Sequence, residues 1–162
     1  MGYTTCFWGI VRNSIILFDP INWFSKLQQI TVCQYPDELR KNIVVKNYPL
    51  LKDIIPSYIN QIKKAVKRSD LLSINHRTAA FYASYFDIIF SVNRILHPGE
   101  KRLLEFSEKN CKSLPKNMRQ DIESVLQFKK EEVLNLPKNF EILMEHFDNW
   151  LISEGFLDLI KK

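Results

Sequence analysis

Apolar residues recur at helical spacing along most of this chain, and prolines divide them into segments. The longest segment is SDLLSINHRTAAFYASYFDIIFSVNRILH, from Ser69 to His97, closed by Pro98 and Gly99. Wound at 100° per residue, Tyr82, Phe86, Ile89 and Leu96, with Phe81, Tyr85, Ile88, Val92 and Ile95, cover most of its circumference. Only a buried helix tolerates such a surface. One stripe breaks it: His76, Ala80, Ala83, Asp87 and Arg94 share a line flanked by Ser84 and Ser91. Small residues leave room there, and His, Asp and Arg supply charge.

Shorter amphipathic segments surround this one. Asp19 and Pro20 form a helix start, an N-cap followed by the residue favoured at the first helical position. Pro36 opens PDELRKNIVV with acids in the first turn, where the helix dipole favours them. A third helix is predicted from Pro49, with a kink or break at Pro56 because proline lacks the backbone donor. Lys63, Lys64, Lys67 and Arg68 end that helix, where cations suit the dipole or form a phosphate-contacting edge. Helices are also expected from Glu100, from Pro115 and from Pro137, the last ended or bent at Gly155 with a tail through Phe156 and Leu159. Residues 1–18 differ: they are aromatic and β-branched, and Ser14 to Phe18 is the best strand candidate. The fold class expected is all-α, an up-and-down bundle of about seven helices over residues 19–162, preceded by a short extended arm or remnant strand over residues 1–18.

Composition alters this little. A chain of 162 residues, 46% hydrophobic and 25% charged, suits one domain with its own core. The net charge of +5 admits an anionic partner but serves solubility equally well. Four glycines argue against a Gly-rich phosphate loop. Cys6, Cys33 and Cys111 stand far apart, so no metal site is expected, and reduced thiols fit a cytoplasmic protein. No signal peptide is expected, because the N-terminal apolar stretch lacks a basic leader and is interrupted at Arg12. No apolar run reaches about 18 residues, so no membrane span is expected.

Motifs of the common catalytic classes are missing: no Walker loop, GxGxxG, GxSxG, HExxH or EF-hand pattern occurs. The stripe is the most informative constellation. Asp87 and Arg94 lie two turns apart, roughly 10 Å along the axis. Either each meets a neighbouring helix and fixes the packing, or they line a pocket where Asp87 accepts from hydroxyls or amines and Arg94 binds an anion. Asn93 needs a hydrogen-bond partner if buried, and capping a loop would supply one. Around His97, Lys101 and Arg102 are expected in the first turn of the next helix, against its dipole, which points to an anion or carboxylate nearby. The Arg–His spacing of helical RNA-cleaving toxins is not met by Arg94 and His97.

The segment NRILHPGEKRLLEF resembles the C-terminal helical domain of a bacterial nucleotidyltransferase-like family. Upstream, SIILFDPINWFSKLQ resembles the stretch joining that family's catalytic sheet to the helical domain, and QYPDELRKNI and Arg68-Ser69-Asp70 fit it too. The resemblance covers most of residues 13 to 126. It implies a domain that packs against a catalytic sheet carrying a Gly-Ser turn and paired aspartates, and that supplies part of the acceptor pocket. This chain contains no Gly-Ser pair and no Asp-x-Asp, so it lacks the ligands for two-metal phosphoryl transfer. The function expected is an acceptor-binding helical domain, inactive alone, with His76, Asp87, Arg94, Lys101 and Arg102 lining or bordering the pocket. No catalytic or metal-binding residue is assigned, and nucleotide and magnesium enter only with a catalytic domain. The expected partners are such a domain, or a second copy through the N-terminal arm, and a small-molecule acceptor. The alternative is a helical protein-interaction or RNA-binding module, antitoxin-like, or a small helical nuclease.

Overall fold

The computed structural model describes residues 3–127 and 130–156. Its elements run α1 Cys6–Asn13, α2 Trp23–Ile30, α3 Asp37–Leu51, α4 Tyr58–Lys67, α5 Leu71–Val92, α6 Leu103–Asn110, α7 Met118–Leu126, a 3₁₀ turn Lys130–Asn135, and α8 Leu136–Ser153. No strand occurs among the described residues, and the fold is the all-α bundle expected. The long helix is its centre: α3, α4 and α6 pack on α5, while α8 packs on α4 and α7. Phe81 meets Phe140 edge-on at 4.9 Å and Tyr85 meets Phe147 at 4.4 Å, so aromatic rings tie α5 to α8. All four are fully buried. No helix among the described residues is long and apolar enough to cross a membrane.

Several boundaries differ from the sequence expectation. The N-terminal arm is helical over Cys6–Asn13, and Ser14 to Phe18 is irregular rather than a strand. Long-range docking outweighs β propensity there. Trp8 donates from Nε1 to the Thr31 carbonyl at 3.0 Å and stacks on Tyr35, and Gln28 Nε2 donates to the carbonyls of Val11 and Ser14. Asp19 does not sit next to its helix; it reaches back to accept from the backbone N–H of Trp23, Phe24 and Ser25. Helix α3 runs through Pro49 near its C-terminal end, where the Val45 carbonyl goes without the N–H that residue 49 would otherwise supply. Pro56 falls in the turn before α4, and Ser57 caps α4 by accepting from Asn60 N–H.

Helix α5 starts where expected. Asp70 accepts from the Ser73 backbone and hydroxyl at 3.0 and 2.6 Å. It stops at Val92 instead of His97. Arg94 takes a left-handed conformation, φ 55°, while Ile95 N–H bonds the Phe90 carbonyl and Arg94 N–H the Ser91 carbonyl. That is a Schellman closure built without glycine. Asn93 locks it from outside, accepting from Lys112 and Ser113 N–H and donating to the Ser113 carbonyl. Gly155, φ 82°, ends α8 in the same way, with Phe156 N–H on the Leu151 carbonyl. The tail expected beyond Phe156 lies outside the described residues.

Candidate functional site

Closing α5 early turns residues 95–99 back under the N-terminal segment, and a polar cluster forms there within an otherwise apolar core. Thr5, just before α1, accepts from His97 N–H at 2.9 Å through Oγ1. Gly9 lies so close to the same turn that an added Cβ would stand 2.7 Å from the His97 carbonyl oxygen, which is why the position is glycine. Gly99 N–H donates to His97 Nδ1 at 3.1 Å. Nδ1 is therefore an acceptor, and the neutral ring carries its proton on Nε2. That nitrogen faces Asp87 Oδ1 at 4.0 Å, too far for a hydrogen bond.

Asp87 and His97 side chains are 11% and 8% exposed, so both are largely dehydrated. Burial pushes the Asp87 carboxyl up to about 6, against a small lowering by Thr4 beside it. Burial also pushes the His97 imidazole down, which favours the neutral ring. Burial raises the Tyr35 hydroxyl most and the Asp87 charge adds to this, while the Ser91 and Thr5 side chains and the Arg40 cation pull the other way; the approach of Ser91 and Thr5 falls short of hydrogen-bond geometry. Asp87 Oδ1 and Tyr35 Oη are both shielded from solvent without a hydrogen-bond partner among the described residues. Cys6 is raised first by burial, then by the carboxylates of Asp87 and Glu100. Phe90 meets the His97 ring edge-on at 5.1 Å. A cleft of about 320 Å³ lies along α1 and this turn, lined by Gly9, Ile10, Leu96, Pro98 and Phe106 among others.

The five residues singled out from sequence do not gather here. Asp87 alone belongs to the cluster. His76 is exposed and lies eleven residues earlier on α5, about 16 Å along the axis. Arg94 turns outward and donates from Nη2 to Asp37 Oδ1 at 2.7 Å, holding that carboxyl below its usual range. Lys101 and Arg102 are exposed and precede α6, Arg102 as its N-cap residue, and neither reaches the Asp87 cluster. His97, expected to close the long helix, lies instead in the turn beyond α5 and faces Asp87. Tyr35 and Thr5 carried no signal beyond Tyr35 preceding a helix-starting proline.

Two other polar groupings are satisfied internally. His146 Nδ1 and Asp121 Oδ2 lie 2.6 Å apart and bridge α8 to α7. Between α4 and α8 a cleft of about 310 Å³ holds Lys52 paired with Asp148, which also accepts from Tyr48 Oη, and Lys63 paired with Glu141. No group of three or more metal-ligating side chains occurs among the described residues.

No curated protein and no solved structure matches the chain. A family match covers residues 8–103, from α1 through α5 to the start of α6, and so takes in Tyr35, Asp87, Ser91 and His97. The matched stretch is more than half of the chain, which thus belongs to the family described as domain of unknown function (DUF4037).

Proposed function

We propose that this chain is the acceptor-binding helical part of a nucleotidyltransferase-like enzyme, without catalytic activity by itself. Catalysis in this reading belongs to a domain that brings the Gly-Ser turn, the paired aspartates, the metal and the nucleotide. The observation that carries it is the apolar surface of the N-terminal segment. Between Phe7 and Val32 nine large apolar side chains stand exposed, among them Ile15, Leu17 and Phe18 at 86%, 93% and 85%. At 100–200 Å² each they make on the order of 1,000 Å². One side of a standard interface is about 800 Å².

Leu17 and Phe18 lie in the stretch SIILFDPINWFSKLQ that resembles the junction with the catalytic sheet. The resemblance and the exposure fall on the same residues, which supports reading them as the docking face. The Asp87 cluster lies behind α1 on the other side of this segment, where an acceptor would be held near the junction. The test is to mix the chain with a nucleotidyltransferase-type catalytic domain from the same genome. Light scattering after gel filtration should find a complex, and labelled nucleotide should pass to an acceptor only when both parts are present. Leu17→Asp with Phe18→Asp should abolish both. A folded, monomeric chain that ignores such domains would refute the reading.

A further inference from the structure

We propose that Asp87 and Tyr35 form a subsite for a protonated amine, bordered by His97, whose backbone anchors the covering strap, residues 3–6, that must lift to admit it. This rests on the acceptor reading for the identity of the larger molecule, and on the cluster's own geometry for the chemistry.

A carboxylate taken out of water needs a cation or several hydrogen bonds. Among the described residues no cation lies beside Asp87. Arg94, seven residues along, is turned away to Asp37. His97 cannot serve, because Gly99 N–H occupies its Nδ1 and the ring is neutral. The Asp87 Oδ1 and Tyr35 Oη orphans both have lone pairs to offer. An ammonium has three donors and no acceptor, which matches this set better than a hydroxyl with its single donor. A divalent metal fits poorly, since one carboxylate is far short of a hard cation's oxygen shell. Trp8 stacked on Tyr35 and Phe90 against His97 place aromatic rings around the position, and aromatic rings tolerate cations.

The strap closes the subsite. Tyr3 is held by its carbonyl, which accepts from Asn47 Nδ2 at 2.8 Å, and Thr5 by its bond from His97 N–H. Both bonds are single and can exchange for water. The cleft along α1 shares the turn around His97 and has the volume for the body of a small acceptor. The ionisable and polar groups beside Asp87 are Thr4 and Cys6 from the strap and α1, Tyr35 before α3, and His97 in the turn; around these stand Glu100 near Cys6, and Ser91 and Arg40 near Tyr35. Of these, Asp87 changes charge near pH 6, so amine binding should weaken below that pH.

Ethanolamine and ethylene glycol have nearly the same shape and differ by an ammonium against a hydroxyl. Titrated into the ¹⁵N-labelled chain at pH 7.5, ethanolamine should give saturable shifts at the amides of Thr5, His97 and Gly99, and ethylene glycol none. Lowering the pH to 5 should weaken binding about tenfold. Asp87→Asn should abolish it, and Tyr35→Phe, which keeps the stacked ring, should weaken it several-fold. Equal responses to both probes, no response to ethanolamine, or saturable binding retained by Asp87→Asn would overturn the proposal. Association with a catalytic domain is measured separately through Leu17 and Phe18, so failure here leaves the docking reading intact, and the reverse also holds.

Discussion

Replacing Asp87 by asparagine removes the charge and keeps the shape, so it measures what the buried carboxylate costs the fold. The carboxyl titrates at about 6 in the folded chain, against an ordinary 3.8. Each pKa unit corresponds to about 1.36 kcal/mol, so ionising Asp87 in place costs roughly 3 kcal/mol above pH 7. The sign follows from proton counting. Between pH 3.8 and 6 the folded chain holds a proton on Asp87 that the unfolded chain has released. Stability therefore falls as the pH rises through this window, and the loss is complete above it. The Asp87→Asn chain has no such loss. It should be more stable than the parent by about 2–3 kcal/mol at pH 7.5, which is roughly 5–10 °C in Tm for a chain of this size. Near pH 4 the two should converge. His97 contributes in the opposite direction, because burial depresses its pKa and protonation then destabilises the fold; at pH 7.5, where the ring is neutral, it adds nothing to the difference between the two chains. Urea unfolding at pH 7.5, 6, 5 and 4 reads the gap directly. A gap that does not change with pH, or an asparagine chain less stable at pH 7.5, would show that Asp87 is solvated or already paired, and the account of the site would fail.

Other substitutions test the packing that holds the site. Gly9→Ala should cost about 1–3 kcal/mol, because its Cβ meets a backbone oxygen that cannot step aside; hydrogen exchange along α1 should rise with it. Asn93→Ala removes side-chain bonds to Ile89, Lys112 and Ser113 and should cost about 2–3 kcal/mol in urea unfolding. Phe140→Ala opens a cavity against Phe81 at the α5–α8 contact and should cost about 3–5 kcal/mol, read in the same assay.

The bundle was legible because its signals are local. Prolines punctuate the chain, and residues 81–92 are apolar around most of the helix, broken only by Ser84, Asp87 and Ser91, which permits no place for it but the centre. Helix α1 was not legible. Its β-branched and aromatic run favours a strand by propensity, and what makes it a helix lies at Thr31, Tyr35 and His97, far along the sequence. The end of α5 was missed for a related reason. The left-handed closing residue is Arg94, not glycine, and it is held by an asparagine that reaches residues 112 and 113. Asp87 stood out as a charge in a greasy helix, and that signal was sound. Its neighbours Thr5, Tyr35 and His97 share no period with it, so the pattern grouped it instead with His76 and Arg94. A helical wheel finds residues on one line; it cannot find those that three different turns deliver to one point.

The two halves of the functional reading meet in α1. Phe7 and Ile10 stand exposed on it, while Gly9 presses on the His97 carbonyl and Thr5, just ahead of it, holds the His97 amide. A partner gripping the apolar side of α1 therefore grips the same short helix whose leading residues cover Asp87. The helix has eight residues and one buried position, Gly9, so its seat on the bundle depends on few groups. In the proposed reading, a partner docked on α1 would thus bear on the cover of Asp87 as well, because moving α1 strains the Thr5–His97 bond and the contact at Gly9.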